Sequence, residues 1–411
     1  MNYYAKQQKK KQQQAQKPAS APQPQASAPY EVGSCWCFGA LDTLFFKESR
    51  PMESIGGAQL KSVFPPPART LIGAVRTAIG GAHEVDWDEF HKNADHTLRT
   101  LMGHTNDLGQ LSFKGPFLIH DGKRLFAAPL VVLKGEDKNA KSMFTRLAPS
   151  SMLTACDLGN VQLPKKQDNA TLGAKALENT WLTETGLLAV LAGNKPAASD
   201  LIEAKALFDA EERLGIGRTH ATRTTGDGLL YQTQHVRPKP HVEVGMHVHG
   251  LEQCPVVPAE GLMRLGAEGR IAHWRRSTGH TLPACPVQDK IKNNRIMLVL
   301  MTHAHFVKGW LPDGLTEVTL DNGQTVWEGS INGVSLRLLC AVVGKSVREG
   351  GWDLANRTPR PIENLVPAGS CYFFEVLAAG PNGEALRKLH GSHTGQDTAY
   401  GRGELAVGIW K

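Results

Sequence analysis

The run SCWCFGALDTLFF (34–46) opens the patterned part of the chain, with aromatic and apolar residues bounded by glycine. It reads as a strand turning into a loop. In FPPPARTLIGAVR (64–76), three prolines stop whatever precedes, and Pro67 suits a first helical turn, where a missing N–H costs nothing. At 100° per residue Leu71, Ala74, Val75 and Ala78 form one stripe, with Arg69 and Arg76 opposite. Gly80 and Gly81 are the expected stop. GPFLIHDGKRLFAAPLVVL (115–133) reads as two strands about an Asp121-Gly122 turn. Residues 134–180 are polar and read as an irregular insertion. A second helical pattern runs from Thr183 to Leu191, with Leu187, Leu188 and Leu191 on one side.

From about residue 228 strand-like segments dominate: LLYQTQHV, HVEVGMHVHGLE, GLMRLGAEGRIAHW, IMLVLM, SLRLLCAVV, SCYFFEVL and ELAVGIW. Strand, helix, hairpin, helix in the first half predicts a ferredoxin-like βαββαβ unit. The β-rich second half reads as another copy with elaborated hairpins. The expected fold class is α/β, of the α+β kind, and no fixed-period repeat points to a solenoid or propeller.

Length supports this reading, since 411 residues leave room for about two domains. The expected units are a leader over 1–32, a first domain over 33–205 with its insertion at 134–180, and a second over 206–411. Of the formal charge of +7, residues 1–29 carry +5, because Lys6, Lys9, Lys10, Lys11 and Lys17 meet no acid there. That Lys/Gln/Pro-rich stretch is expected to be disordered, and it lacks the apolar core of a secretory signal. The longest apolar run, IMLVLM (296–301), has strand length, far short of a membrane span. Seven scattered cysteines suit reduced thiols, so the expected location is cytoplasmic.

Catalytic motifs are missing: there is no GxxxxGK[ST], HExxH or GxSxG, and nothing calls for a cofactor. His247 and His249 share a strand face and are candidates for a metal, although exposed hairpin histidines are the simpler account. Cys35 and Cys37 read as packed thiols rather than ligands. A metal-independent ribonuclease needs only a general base and acid, for which His220 and Tyr231 are candidates.

Basic glycine-rich segments carry more weight. EERLGIGRTHATRTTGDGLLY (211–231) holds Arg213, Arg218 and Arg223 among small residues that let a backbone approach phosphates. RLGAEGRIAHWRRS (264–277) places Arg264, Arg270, Arg275 and Arg276 around His273 and Trp274, an arginine-plus-aromatic mixture suited to single-stranded RNA. YGRGELAVG (400–408) sets one arginine in a glycine turn before a terminal strand. Each segment alone has a plain structural reading, since hairpins need glycine and surface arginines are ordinary. Three together, without catalytic motifs, favour RNA binding.

In order along the chain, LDTLFFKESRPM (41–52), FPPPARTLIGAVR, GPFL, ERLGI (212–216), LGAEGR (265–270), GWLP (309–312), GGWD (350–353), PAGSCYFF (367–374) and YGRGELAVG resemble one known family. It is the RAMP-superfamily subunit of type III-B CRISPR effector complexes, the third Cmr subunit, and the likeness covers residues 33–411. The resemblance implies two ferredoxin-like (RRM-like) RAMP domains and no nuclease activity. It implies a subunit that holds the 5′ repeat-derived tag of the crRNA between the large polymerase-cyclase subunit and the first backbone RAMP subunit. It also implies that Gly401, Arg402 and Gly403 lie near RNA and donate backbone N–H groups to phosphates. The chain departs from the family at Gly266-Ala267, where a glycine pair is usual. The residues expected to meet RNA are Arg69, Arg76, Arg213, Arg218, Arg223, Arg270, Arg275, Arg276 and the Gly401-Arg402-Gly403 turn. Trp310 and Trp352 are expected to be core or interface anchors. The alternatives are an endoribonuclease that processes CRISPR repeat RNA and an adaptor that never touches RNA.

Overall fold

Strand β1 (Cys35–Ala40) is buried on both sides, which explains its unbroken apolar character. Trp36 and Phe38 face a large core, while Cys35 and Cys37 face a small one with Phe117 and Ile119. This arrangement comes from a computed structural model that describes residues 34–49, 59–168, 171–217, 221–225, 230–252, 254, 256–286, 294–378 and 384–410. The leader expected over 1–32 lies outside the described residues.

β1 sits at the centre of the first sheet. Its partners are β2 (Ser112–His120), β3 (Val242–His249) and β4 (Ile271–Ser277), in the order β4-β1-β3-β2 with every pair antiparallel. The Trp36 and Trp274 rings stack across the β1–β4 pair at 4.4 Å. The helix Ala68–Ala82 covers this face with Leu71, Ile72, Val75 and Ile79, on the side the sequence stripe predicts. Gly80 and Gly81 do not end it; the helix continues to Ala82. Gly80 instead lets Trp87 approach, since a Cβ there would lie 2.5 Å from the indole. The Asp121-Gly122 hairpin forms as expected, with φ of 48° and 69° at its two corners.

The second sheet repeats the pattern. β5 (Arg295–Leu300), β6 (Val334–Val342), β7 (Cys371–Ala378) and β8 (Leu405–Gly408) run in the order β8-β5-β7-β6, again antiparallel throughout. Thr325–Ile331 and Leu315–Thr319 extend it beyond β6. Ile296, Leu298 and Leu300 face a core closed by Leu386 and Leu389 of the helix Glu384–Leu389. Met297 and Val299 face another, closed by Leu187, Val190 and Leu191 of the helix Glu184–Leu191. Both faces of β5 are therefore dry, and its sequence shows no alternation. Leu188, placed with the buried stripe by the sequence pattern, is only half-buried.

Two expectations need correction. Residues 134–180 are not irregular: Ser142–Cys156 and Gly159–Lys166 form a long hairpin, flanked by Val132–Glu136 and Leu172–Ala176. Much of this hairpin is exposed on both faces, so its strands carry no apolar period to read. The boundary expected at 205/206 also does not divide the sheets. The chain leaves the first sheet after Arg124, makes an excursion through the helix Glu184–Leu191, and returns to it at β3. A shift toward strand-like sequence marks where strands begin, not which sheet they join. The two sheets also meet near the C-terminus, where Tyr400–Gly401 pairs in parallel with β2. Among the described residues no helix is long and apolar enough to cross a membrane.

Candidate nucleic-acid interface

A long hairpin, Phe208–Ile216 with Leu230–Pro238, projects beside the first sheet. Strand alternation puts Glu211, Arg213 and Gly215 on one face, in register with His235, Thr233 and Tyr231. Tyr231 lies across Gly215, where a Cβ would come within 2.2 Å of the ring. Its hydroxyl reaches Glu268 in the 265–270 turn at 3.5 Å. The hairpin therefore turns its arginines toward that turn and toward Asp42.

Three guanidinium groups converge there on two carboxylates. Arg213 lies 2.9 Å from Asp42 and 2.7 Å from Glu211. Arg237 lies 2.8 Å and 2.5 Å from the same pair, and Arg270 lies 3.6 Å from Asp42. Arg213, and then Arg237, hold the Asp42 carboxyl below its ordinary range; for Glu211 the leading partner is Arg237. Both acids stay ionised at neutral pH, and this five-group set keeps one positive charge in excess. Pinned guanidinium groups have already lost rotamer freedom, so less entropy is lost when an anion arrives.

An open cleft of about 600 Å³ adjoins this cluster, lined by Asp42, Arg237, Lys239, His241, His273 and Arg275 among others. Arg275 projects from β4 and grips Glu243 of β3 with two contacts, at 3.2 and 2.6 Å. The neighbouring Arg276 is half-buried, and strand alternation sends it to the opposite face. Of the sequence-predicted residues, the structure brings together Arg213, Arg270 and Arg275. Arg223 is exposed in a turn at φ 53°, and Arg218 and His220 lie outside the described residues. Arg237, Lys239 and Asp42 were missed. The signal for Arg237 and Lys239 was RPKP (237–240), whose two prolines restrict the backbone at the strand end.

The other predicted residues form a second group with internal partners. Arg402 is only 2% exposed, 3.1 Å from Glu349, 2.6 Å from Glu363 and 2.8 Å from Asp397. Arg69 joins the same acids, at 3.2 Å from Glu363, and its guanidinium lies 4.5 Å above the Tyr400 ring. Arg76 donates to the carbonyls of Thr105 and Asp107, and burial pulls its pKa down. The expected amide cradle is also occupied within the chain, because Gly401 N–H donates to Thr398 and Gly403 N–H to His303, both at 2.9 Å. Gly401, at φ 86°, is required by close approach: a Cβ there would sit 2.5 Å from the Gly115 carbonyl oxygen.

His305, Glu363 and Asp397 bring ligand atoms within 4.8 Å of one another. Arg69 and Arg402 already neutralise those carboxylates, so a cation would have to displace guanidinium groups. His247 and His249 do share a face of β3, with His247 Nε2 3.2 Å from the His280 carbonyl. Cys35 and Cys37, 3.9 Å apart at sulfur, are packed thiols. Trp310 meets Trp327 edge-on at 5.1 Å, an anchor as expected, whereas Trp352 is 57% exposed.

No curated protein matches this chain. Among the solved structures that resemble it weakly are two of the type III-B Cmr-beta complex bound to cognate target RNA. The one with AMPPnP gives a TM-score of 0.44 at 13% identity, and the other gives 0.43 at 14%. Each comparison covers 82% of this chain and 86% of the other. The assignment rests instead on the family model, described as CRISPR-associated protein (Cas_Cmr3), which matches residues 36–410. With nearly the whole described chain inside that match, the protein belongs to the CRISPR-associated Cmr3 family, the one its sequence resembles.

Proposed function

We propose that this chain is a non-catalytic crRNA-binding subunit of a cytoplasmic type III-B effector complex. It would hold the 5′ repeat-derived tag between the polymerase-cyclase subunit and the first backbone RAMP subunit. The observation that carries the reading is the set of pinned arginines Arg213, Arg237 and Arg270, continuous with Arg275 along an open cleft. Guanidinium forks held in place are suited to phosphates spaced along a strand. The strand orders support it as well. Both sheets follow the 4-1-3-2 order of a ferredoxin-like unit, the first keeping the helix after its first strand and the second the helix after its third.

The test uses the full chain with a labelled RNA carrying the repeat tag. Arg237→Glu with Arg275→Glu should weaken binding at least about ten-fold and flatten its salt dependence, because phosphate contacts release counterions. Unchanged affinity and salt slope would remove the cleft from the interface. In EDTA the isolated protein should leave repeat RNA intact, and cleavage would favour the processing ribonuclease instead.

A further inference from the structure

Between β6 and β7 the chain builds two small hairpins. Val347–Glu349 pairs with Glu363–Leu365, and Trp352–Asp353 pairs with Thr358–Pro359. Residues 343–365 contain three acids, Glu349, Asp353 and Glu363, and all are engaged inward. Glu349 and Glu363 bind Arg402, as described above. Asp353 is buried, accepts the N–H groups of Ala355 and Asn356 at 3.1 Å, and pairs with Arg360 at 3.1 Å. The basic residues Lys345, Arg348 and Arg357 are exposed, and no carboxylate of the described residues pairs with them. The solvent side of this segment therefore carries positive charge only.

Apolar groups share that surface. Trp352 is 57% exposed, Leu354 79% and Ile362 43%. The indole stands on a short hairpin braced by the Asp353 turn and stiffened by Pro359 and Pro361. An exposed ring of this size on a rigid support is not needed by the core, which is complete without it.

We propose that this hairpin is a second RNA contact, with Trp352 stacking on an unpaired base while Arg348 and Arg357 hold flanking phosphates. The proposal rests on the RNA-binding reading above and adds a site to it. One-signed charge around a free aromatic face is what single-stranded nucleic acid requires. A protein partner would also have to supply carboxylates matched to three separate cations.

The test measures binding of the full chain to a fluorescent single-stranded RNA 12-mer of mixed sequence. Trp352→Ala should weaken binding about five- to fifty-fold, while Trp352→Phe keeps affinity within about three-fold, because stacking tolerates any ring. Arg348→Glu with Arg357→Glu should reduce the slope of log affinity against log salt by about 1.4, two phosphates' worth for a single strand. Leu354→Ser should leave RNA affinity unchanged. In the assembled complex, ultraviolet cross-linking should give an RNA adduct on the peptide around 350–357. An adduct to guide or to target RNA tells which strand is held, and either supports the site. If Trp352→Ala binds like the wild type while the wild type binds RNA, this site is wrong and the cleft reading stands. If Trp352→Ala and Leu354→Ser lose a co-purifying subunit at unchanged RNA affinity, the surface docks protein and the proposal is overturned. If the wild type binds no RNA alone or assembled, both readings fall.

Discussion

His303 Nδ1 accepts the backbone N–H of Ala368 at 2.9 Å, while its own carbonyl holds the Gly403 amide. Protonating that ring would break the first bond and place a cation beside Arg402. Burial, reinforced by Arg402, accordingly lowers its pKa to about 4. His390 repeats the device, with Nδ1 accepting the Val407 N–H at 3.1 Å and burial lowering its pKa. The unfolded chain binds a proton at each ring near pH 6.5 and the folded chain does not. Their stabilisation is therefore complete above about pH 6.5 and declines as pH falls toward 4. His303 alone should account for about 2 kcal/mol between pH 6.5 and 5, at 1.36 kcal/mol per pH unit. Urea melts at pH 7 and pH 5 should show the loss, and His303→Asn, which keeps an acceptor, should flatten it. An equal pH dependence in that variant would show that other groups titrate. At this scale the sequence was legible as residue type but not as partnership. Arg402 stood out in its glycine turn, yet nothing near it in sequence announced that Glu349 and Glu363 would enclose it. Spacing gives no account of ion pairs between residues some forty to fifty positions apart.

Elements were legible where one face is wet. The Asp121-Gly122 hairpin and the helix Ala68–Ala82 carry local signals and form where expected. The helix Glu184–Leu191 tests the limit of that method. Its pattern nominates Leu187, Leu188 and Leu191, but the sheet it packs on belongs to the other half of the chain and selects Leu187, Val190 and Leu191. Leu187→Ala should cost about 3 kcal/mol, a large-to-small change in a closed core, and Leu188→Ala about 1 kcal/mol. Denaturant midpoints at constant slope would separate the two, and equal losses would mean that both leucines are core. The 134–180 hairpin was illegible for the opposite reason: with exposure on both faces, strand and loop have the same composition.

For the whole molecule, the duplicated 4-1-3-2 order is the strongest regularity, and no repeat in the sequence shows it. The excursion from Phe126 to Pro238 separates strands two and three of the first sheet, while the strand pair Leu315–Thr319 and Thr325–Ile331 separates strands one and two of the second. Insertions of unequal length erase any period, and strand order is set by antiparallel pairing between distant segments. The two halves are joined as well as similar. The helix Glu184–Leu191 closes a core of the second sheet, and Arg124 of the first sheet's hairpin meets Glu404 at 2.5 Å with side chains 4% and 3% exposed. Two charges taken from water at one junction stand or fall together: removing one leaves the other buried and uncompensated, whereas replacing both with apolar groups removes the desolvation cost as well as the attraction. The wild type should therefore unfold in one transition. Glu404→Ala should lose about 3–5 kcal/mol, and Arg124→Met with Glu404→Leu should recover most of it. Calorimetry of the three proteins decides the point, because two separate transitions in the wild type would mean that the halves fold independently and the buried pair does not couple them.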